Sequence, residues 1–155
     1  MDFLNYLLVS IAAFSGLWAG AALAFIAPEE MKAGKRHFNA MIKIIFIFMP
    51  IFIALFLGKE NVFFSVIFVL LSTLFIIYAP KGYIYPLLGV FFYVASKNVI
   101  LFPIIAASIF ILGMPKGSIF AHEHHGMKKA RILRKILIMH LLFFVIALPF
   151  YFSNL

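Results

Sequence analysis

MPKGSIFAHEHHGMKKARILRK, residues 114–135, carries six of the thirteen lysines and arginines of this chain and three of its five histidines. Nearly everything around it is hydrocarbon: 66% of the 155 residues are apolar, 12% are charged, and the mean hydropathy is +1.14. A soluble globular domain does not reach that balance. The chain therefore reads as all-α, a polytopic integral membrane helical bundle. Its apolar runs almost touch one another, so residues 1–155 form a single transmembrane domain with no soluble appendage. The absence of cysteine excludes disulfides, thiolate metal sites and cysteine nucleophiles.

Immediately upstream of the basic stretch, the apolar run of residues 83–113 is interrupted in its middle by the polar cluster Ser96, Lys97 and Asn98. One long helix would place Lys97 at the bilayer centre, at a cost of about 2.5–3.5 kcal/mol. It would also put residues 114–135 on the opposite face from the other basic segment, 28–37. Two short spans, 83–95 and 99–113, remove both problems. Each is then only about 20 Å long, below the roughly 30 Å of hydrocarbon, so the bilayer thins or the pair sits inside the bundle. Pro103 should bend the second.

The remaining runs complete a set of six transmembrane helices, the fourth and fifth short: 3–27, 39–57, 62–79, 83–95, 99–113 and 132–150. The first resembles a signal sequence only superficially, since its N-terminal flank carries Asp2 and no basic residue. Pro28 to His37 reads as a polar loop, Gly58 to Asn61 as a tight hairpin, and Pro50 as a bend in the second span. Under this arrangement Lys32, Lys35, Arg36, Lys43, Lys81, Lys116, Lys128, Lys129, Arg131, Arg134 and Lys135 share one face. Lys59 and Lys97 lie on the other. The positive-inside rule then predicts a multi-pass protein of the cell membrane with both termini extracytoplasmic. Tyr6, Tyr93 and Tyr151 fall near the outer boundary and Tyr78, Tyr83 and Tyr85 near the inner one, as an aromatic belt requires.

Within the first span Ala12, Gly16, Gly20 and Ala24 recur every fourth residue, a ridge without bulk that lets another backbone approach. Helix packing inside the bundle is the expected use, and a homo-oligomer seam is the alternative. His122, Glu123 and His125 carry metal-ligating groups, and His122 and His125 share a helix face while His124 points away. The spacing is not the H-E-x-x-H arrangement that aims two imidazoles at one zinc. A site would need His37, Glu29 or Glu30 from the other loop, so a metal is conceivable only if the loops pack together; no cofactor is otherwise expected.

Arg36, Lys128, Lys129 and Arg131 are placed to contact anionic lipid headgroups or phosphate, at about 1 kcal/mol per basic residue near the surface. Nucleic acid is not needed to explain the charge. His140 lies inside the last span, roughly 8 Å beyond Lys135, where an ionisable group faces the interior; Ser108 should sit at similar depth and partner it. No intramembrane acid accompanies it, which argues against a proton-coupled pump. Two functions follow: a non-enzymatic membrane component, either a small transporter-like bundle or a subunit of a membrane complex, or a membrane-embedded enzyme acting on an anionic lipid headgroup or using a metal held by the cytoplasmic-loop histidines.

Overall fold

The computed structural model describes residues 2–57, 62–78 and 84–152. They form seven helices: α1 (Phe3–Ile26), α2 (Glu30–Leu57), α3 (Val62–Tyr78), α4 (Ile84–Ala95), α5 (Leu101–Glu123), α6 (Lys129–His140) and α7 (Leu142–Phe152). Among the described residues, α1, residues 33–56 of α2, and α5 are long and apolar enough to cross a membrane, and α6 with α7 make a fourth span if the bent pair counts as one. The exposed surface agrees with a lipid solvent. α3 lies at the edge against α2 and leaves Phe63, Leu70, Leu71 and Leu74 uncovered, an apolar surface that water would penalise and lipid does not. The hairpin expected at 58–61, the turn at 80–82, Tyr83, the last three residues, and with them Lys59 and Lys81, lie outside the described residues.

The centre of the bundle is the α1–α5 pair. Gly16 faces Phe110, Gly20 faces Met114, and Leu17 and Ala21 face Gly117, so the two helices run parallel. Their backbones touch. A Cβ on Gly20 would collide with the Met114 carbonyl, and one on Gly113 would lie 2.8 Å from the Leu17 nitrogen. The Ser118 hydroxyl donates to the Gly20 carbonyl at 2.7 Å and pins the register. The ridge expected on α1 is therefore packed by α5 of the same chain, not left for a second copy. Its composition is corrected in one place: Gly16, Gly20 and Ala24 are buried with Ala13, Leu17 and Ala21, whereas Ala12 is exposed. Steps of four residues rotate about 40° past a full turn, so a strict i+4 ridge drifts off the contact face, and the seam follows mixed steps of three and four.

The break expected at Ser96–Asn98 is present. The Ile100 and Leu101 N–H groups donate to Asn98 Oδ1 at 2.9 and 3.0 Å, the Ser96 hydroxyl donates to the Tyr93 carbonyl, and Lys97 is exposed, 5.1 Å from the Tyr93 ring. Asn98 thus satisfies donors that the start of α5 would leave orphaned. Asn98→Ala should cost about 1 kcal/mol, read as a lowered unfolding midpoint in detergent, and an unchanged midpoint would show that the turn does not set the hairpin.

The short fourth helix holds, at 12 residues, but the fifth is not short. α5 runs ten residues past Gly113 to Glu123, 23 in all. Gly-Met-Pro-Lys-Gly looks like a stop, yet Gly113 and Gly117 are the residues that admit α1, and the buried Pro115 is carried inside the helix. Pro103 falls in the first turn, where its missing N–H costs nothing. The polar segments shrink correspondingly: α2 begins at Glu30, so only Ala27–Glu29 link it to α1, and residues 124–128 alone link α5 to α6.

The last span is broken. α6 and α7 meet at a 41° bend beside Leu141, where there is neither Pro nor Gly. His140 Nδ1–H donates to the Ile136 carbonyl at 2.8 Å, and a side chain that competes for an i−4 carbonyl weakens the helix ladder at that point. Above the bend, Phe92, Phe102 and Phe143 close the core around Tyr6, with ring centroids 4.9–5.9 Å apart for Phe92–Phe102, Tyr6–Phe92, Phe92–Phe143 and Tyr6–Phe102. Tyr6 and Tyr85 are thus core residues and not belt residues. Tyr6 donates to the Ala147 carbonyl on α7 at 2.8 Å.

Candidate functional site

Parallel α1 and α5 bring their C-termini to one end of the bundle, and the starts of α2 and α6 arrive there too. The chain's polar chemistry gathers at this end in two layers.

The outer layer is cationic. Arg36, Lys128, Lys129 and Arg131 are all exposed. Lys35 Nζ lies 2.9 Å from Glu123 Oε1, joining the first turns of α2 to the last residue of α5. Both partners are about half exposed, so the pair contributes at most about 1 kcal/mol; its use is to show that the two segments pack together. Lys35, Arg36, Asn39 and Lys43 line a shallow groove along α2. A second, narrower cleft of about 310 Å³ lies where α1, α5 and α6 meet, between Phe25, His122, His125, Met127, Lys129 and Ile132. The His122 and His125 rings are nearly parallel at 26° with centroids 6.1 Å apart. Lys129 Nζ sits 5.4 Å from the Phe25 ring centroid, a cation–π contact that holds the ammonium at the cleft wall.

The histidines separate into different tasks. His124 Nε2 accepts from Lys135 Nζ at 2.9 Å while its Nδ1–H donates to the Phe120 carbonyl at 2.9 Å. Both nitrogens are used, and the ring stacks on Phe120 at 4.3 Å; this side chain staples α5 to α6. His125 Nδ1–H donates to the His122 carbonyl, which leaves its Nε2 for a ligand. Of the expected metal set, His122 and His125 are neighbours, but Glu123 is engaged by Lys35 and His37 is exposed on α2. Among the described residues no group of three or more histidine or acidic side chains is close enough to hold a metal ion.

The inner layer surrounds His140, which is buried. It lies eleven residues into α6, about 16 Å along the helix. Tyr85 meets its ring edge-on with centroids 4.1 Å apart, Phe120 meets it at 6.2 Å, and the Lys116 ammonium acts on it electrostatically. The Tyr85 hydroxyl is buried without a hydrogen-bond partner among the described residues. Ser108 does not join them: its hydroxyl donates to the Ile104 carbonyl of its own helix at 2.7 Å. The depth of Ser108 was counted from Gly113, whereas α5 ends at Glu123, fifteen residues beyond Ser108; the α5 side chain that meets the His140 ring is Phe120.

Reading the sequence missed Tyr85, Lys116, Lys135 and the Gly113–Gly117 pair. The glycine pair had a visible signal, because its four-residue spacing repeats that of Gly16 and Gly20. Tyr85 had none, since a tyrosine near a span end is equally consistent with a belt. No protein-family model, curated protein or solved structure matches the chain.

Proposed function

We propose that this chain is a non-enzymatic, six-crossing component of the cell membrane, with both termini outside and a cationic cytoplasmic end that rests on anionic headgroups. The supporting observation is the gathering of Lys35, Arg36, Lys128, Lys129, Arg131 and Arg134 at the end where α1 and α5 finish, while exposed Lys97 sits at the far end of α5. A helix pair that touches backbone to backbone through four glycines, capped by an aromatic cluster, is built for rigidity rather than for opening. That favours a subunit of a membrane complex. The buried Tyr85–His140 pair at the broken α6–α7 span supports the transporter-like variant, because discontinuous spans with intramembrane ionisable groups are where solutes are bound.

Topology is the test. Cysteines introduced at Lys97 and at His125 should label from opposite sides of the membrane, position 97 only from outside and position 125 only from the cytoplasm. Labelling of both from one side removes the six-crossing arrangement. The enzyme reading is separated by replacing His122 and His125 with alanine: a component that works by assembly keeps its stoichiometric partners in a pulldown.

A further inference from the structure

We propose that the cleft between the ends of α1 and α5 and the start of α6 binds the phosphate of one anionic phospholipid, with His122, His125 and Lys129 as its donors. The site deepens the reading of the cationic end as membrane-facing and rests on it. Its chemistry is divided. One side offers imidazole nitrogens and an ammonium; the other offers Phe25, Met127 and Ile132. A phosphate joined to acyl chains satisfies both sides at once, whereas free phosphate uses only the first.

The side chains are already arranged for this. The near-parallel His122 and His125 rings stand beside each other on consecutive backbone turns, and the Nδ1–H bond of His125 to the His122 carbonyl leaves Nε2 for the ligand, to which it donates when the ring carries its second proton. Lys129 is held over Phe25, so its charge sits where the polar and apolar walls join. A phosphate ester accepts several charge-assisted hydrogen bonds from such donors. The cleft volume of about 310 Å³ suits a headgroup and its glycerol.

The α2 groove is a poorer site for the same ligand. Lys35, Arg36 and Lys43 give it charge, but among the described residues Ala40 is its only apolar lining residue, and Lys35 is engaged by Glu123. It can attract a charged surface without selecting one lipid. The cleft adds the apolar wall that makes retention specific.

The full chain in nanodiscs of mixed phosphatidylglycerol and phosphatidylcholine, transferred to native mass spectrometry, should retain one phosphatidylglycerol. Lys129→Gln should lower that retention about fivefold. Met127→Trp, which fills the cleft from an exposed position without changing charge, should lower it comparably. Arg134→Gln, at the same end but outside the cleft, should change it less than about twofold, within the scatter of a distant surface charge. Equal losses in Lys129→Gln and Arg134→Gln, or no loss in Met127→Trp, would overturn the cleft while leaving the cationic end intact. Release of the lipid by inorganic phosphate at matched concentration would overturn the lipid as ligand. Wild-type protein with no preference for phosphatidylglycerol would remove both the cleft and the broader membrane-facing reading.

Discussion

Gly20→Leu prevents the bundle from assembling. Even the first carbon of the new side chain would occupy the Met114 carbonyl, a backbone group that cannot step aside, and the Ser118 bond to the Gly20 carbonyl would be lost as the helices part. Overpacking of a filled core costs about 1–3 kcal/mol and more where backbone is the obstacle, so a loss of at least about 3 kcal/mol is expected. In lipid, helices associate through van der Waals contact and interhelical hydrogen bonds rather than through the hydrophobic effect, so separated backbones have little to replace what they lose. The measurement is the yield and unfolding midpoint of the purified protein in mild detergent. Gly126→Ala is the matched control: among the described residues nothing lies within 4 Å of its Cβ position, and its effect should stay within about 0.5 kcal/mol. A Gly20→Leu protein that elutes and melts like wild type would mean that α1 and α5 do not touch.

Removing one oxygen from either of two buried tyrosines should move stability in opposite directions. Tyr85→Phe deletes a buried hydroxyl that has no partner among the described residues, and relief of that desolvation penalty should stabilise the protein by about 1–3 kcal/mol. Tyr6→Phe deletes the donor to the Ala147 carbonyl and should destabilise by about 1 kcal/mol. The chemical change is identical, so any difference in sign belongs to the surroundings. Denaturant or thermal unfolding of the two variants in the same detergent gives the comparison. A destabilised Tyr85→Phe would show that the hydroxyl is satisfied in the membrane and would direct attention to what satisfies it. A stabilised variant that loses cellular function would mark the Tyr85–His140 pair as a place where stability has been traded for a task.

Several features were legible residue by residue. Ser96, Lys97 and Asn98 announced the break between α4 and α5, because an exposed lysine and an asparagine that can bond the following N–H groups are costly inside a helix in lipid. Gly16 and Gly20 announced a close backbone contact. Helix ends were less legible. Gly113, Pro115 and Gly117 are strong stop signals in isolation, and α5 runs through them because α1 fills the space that the two glycines vacate. The same error put Ser108 beside His140, where the longer α5 places Phe120. The break at His140 was invisible for a related reason, since the bend comes from a side-chain hydrogen bond to Ile136 and not from a proline or glycine.

Composition and order along the chain determined what kind of solvent this protein requires, roughly where its helices lie, and that its basic residues fall in a few blocks. These depend on hydropathy and charge, which are additive properties of short segments. Which helices touch, which histidine staples, which bends a helix and which faces a cleft were decided only by the tertiary structure. Those outcomes depend on pairs of residues far apart in the chain, such as Gly20 with Ser118, Lys35 with Glu123, Tyr85 with His140, and His124 with Lys135 across the last turn. A contact energy of that kind exists only once backbone packing has set the distance. The basic block at residues 114–135 accordingly divides into three: a helix end locked against α1, a short link, and a second helix whose first turn closes the cleft.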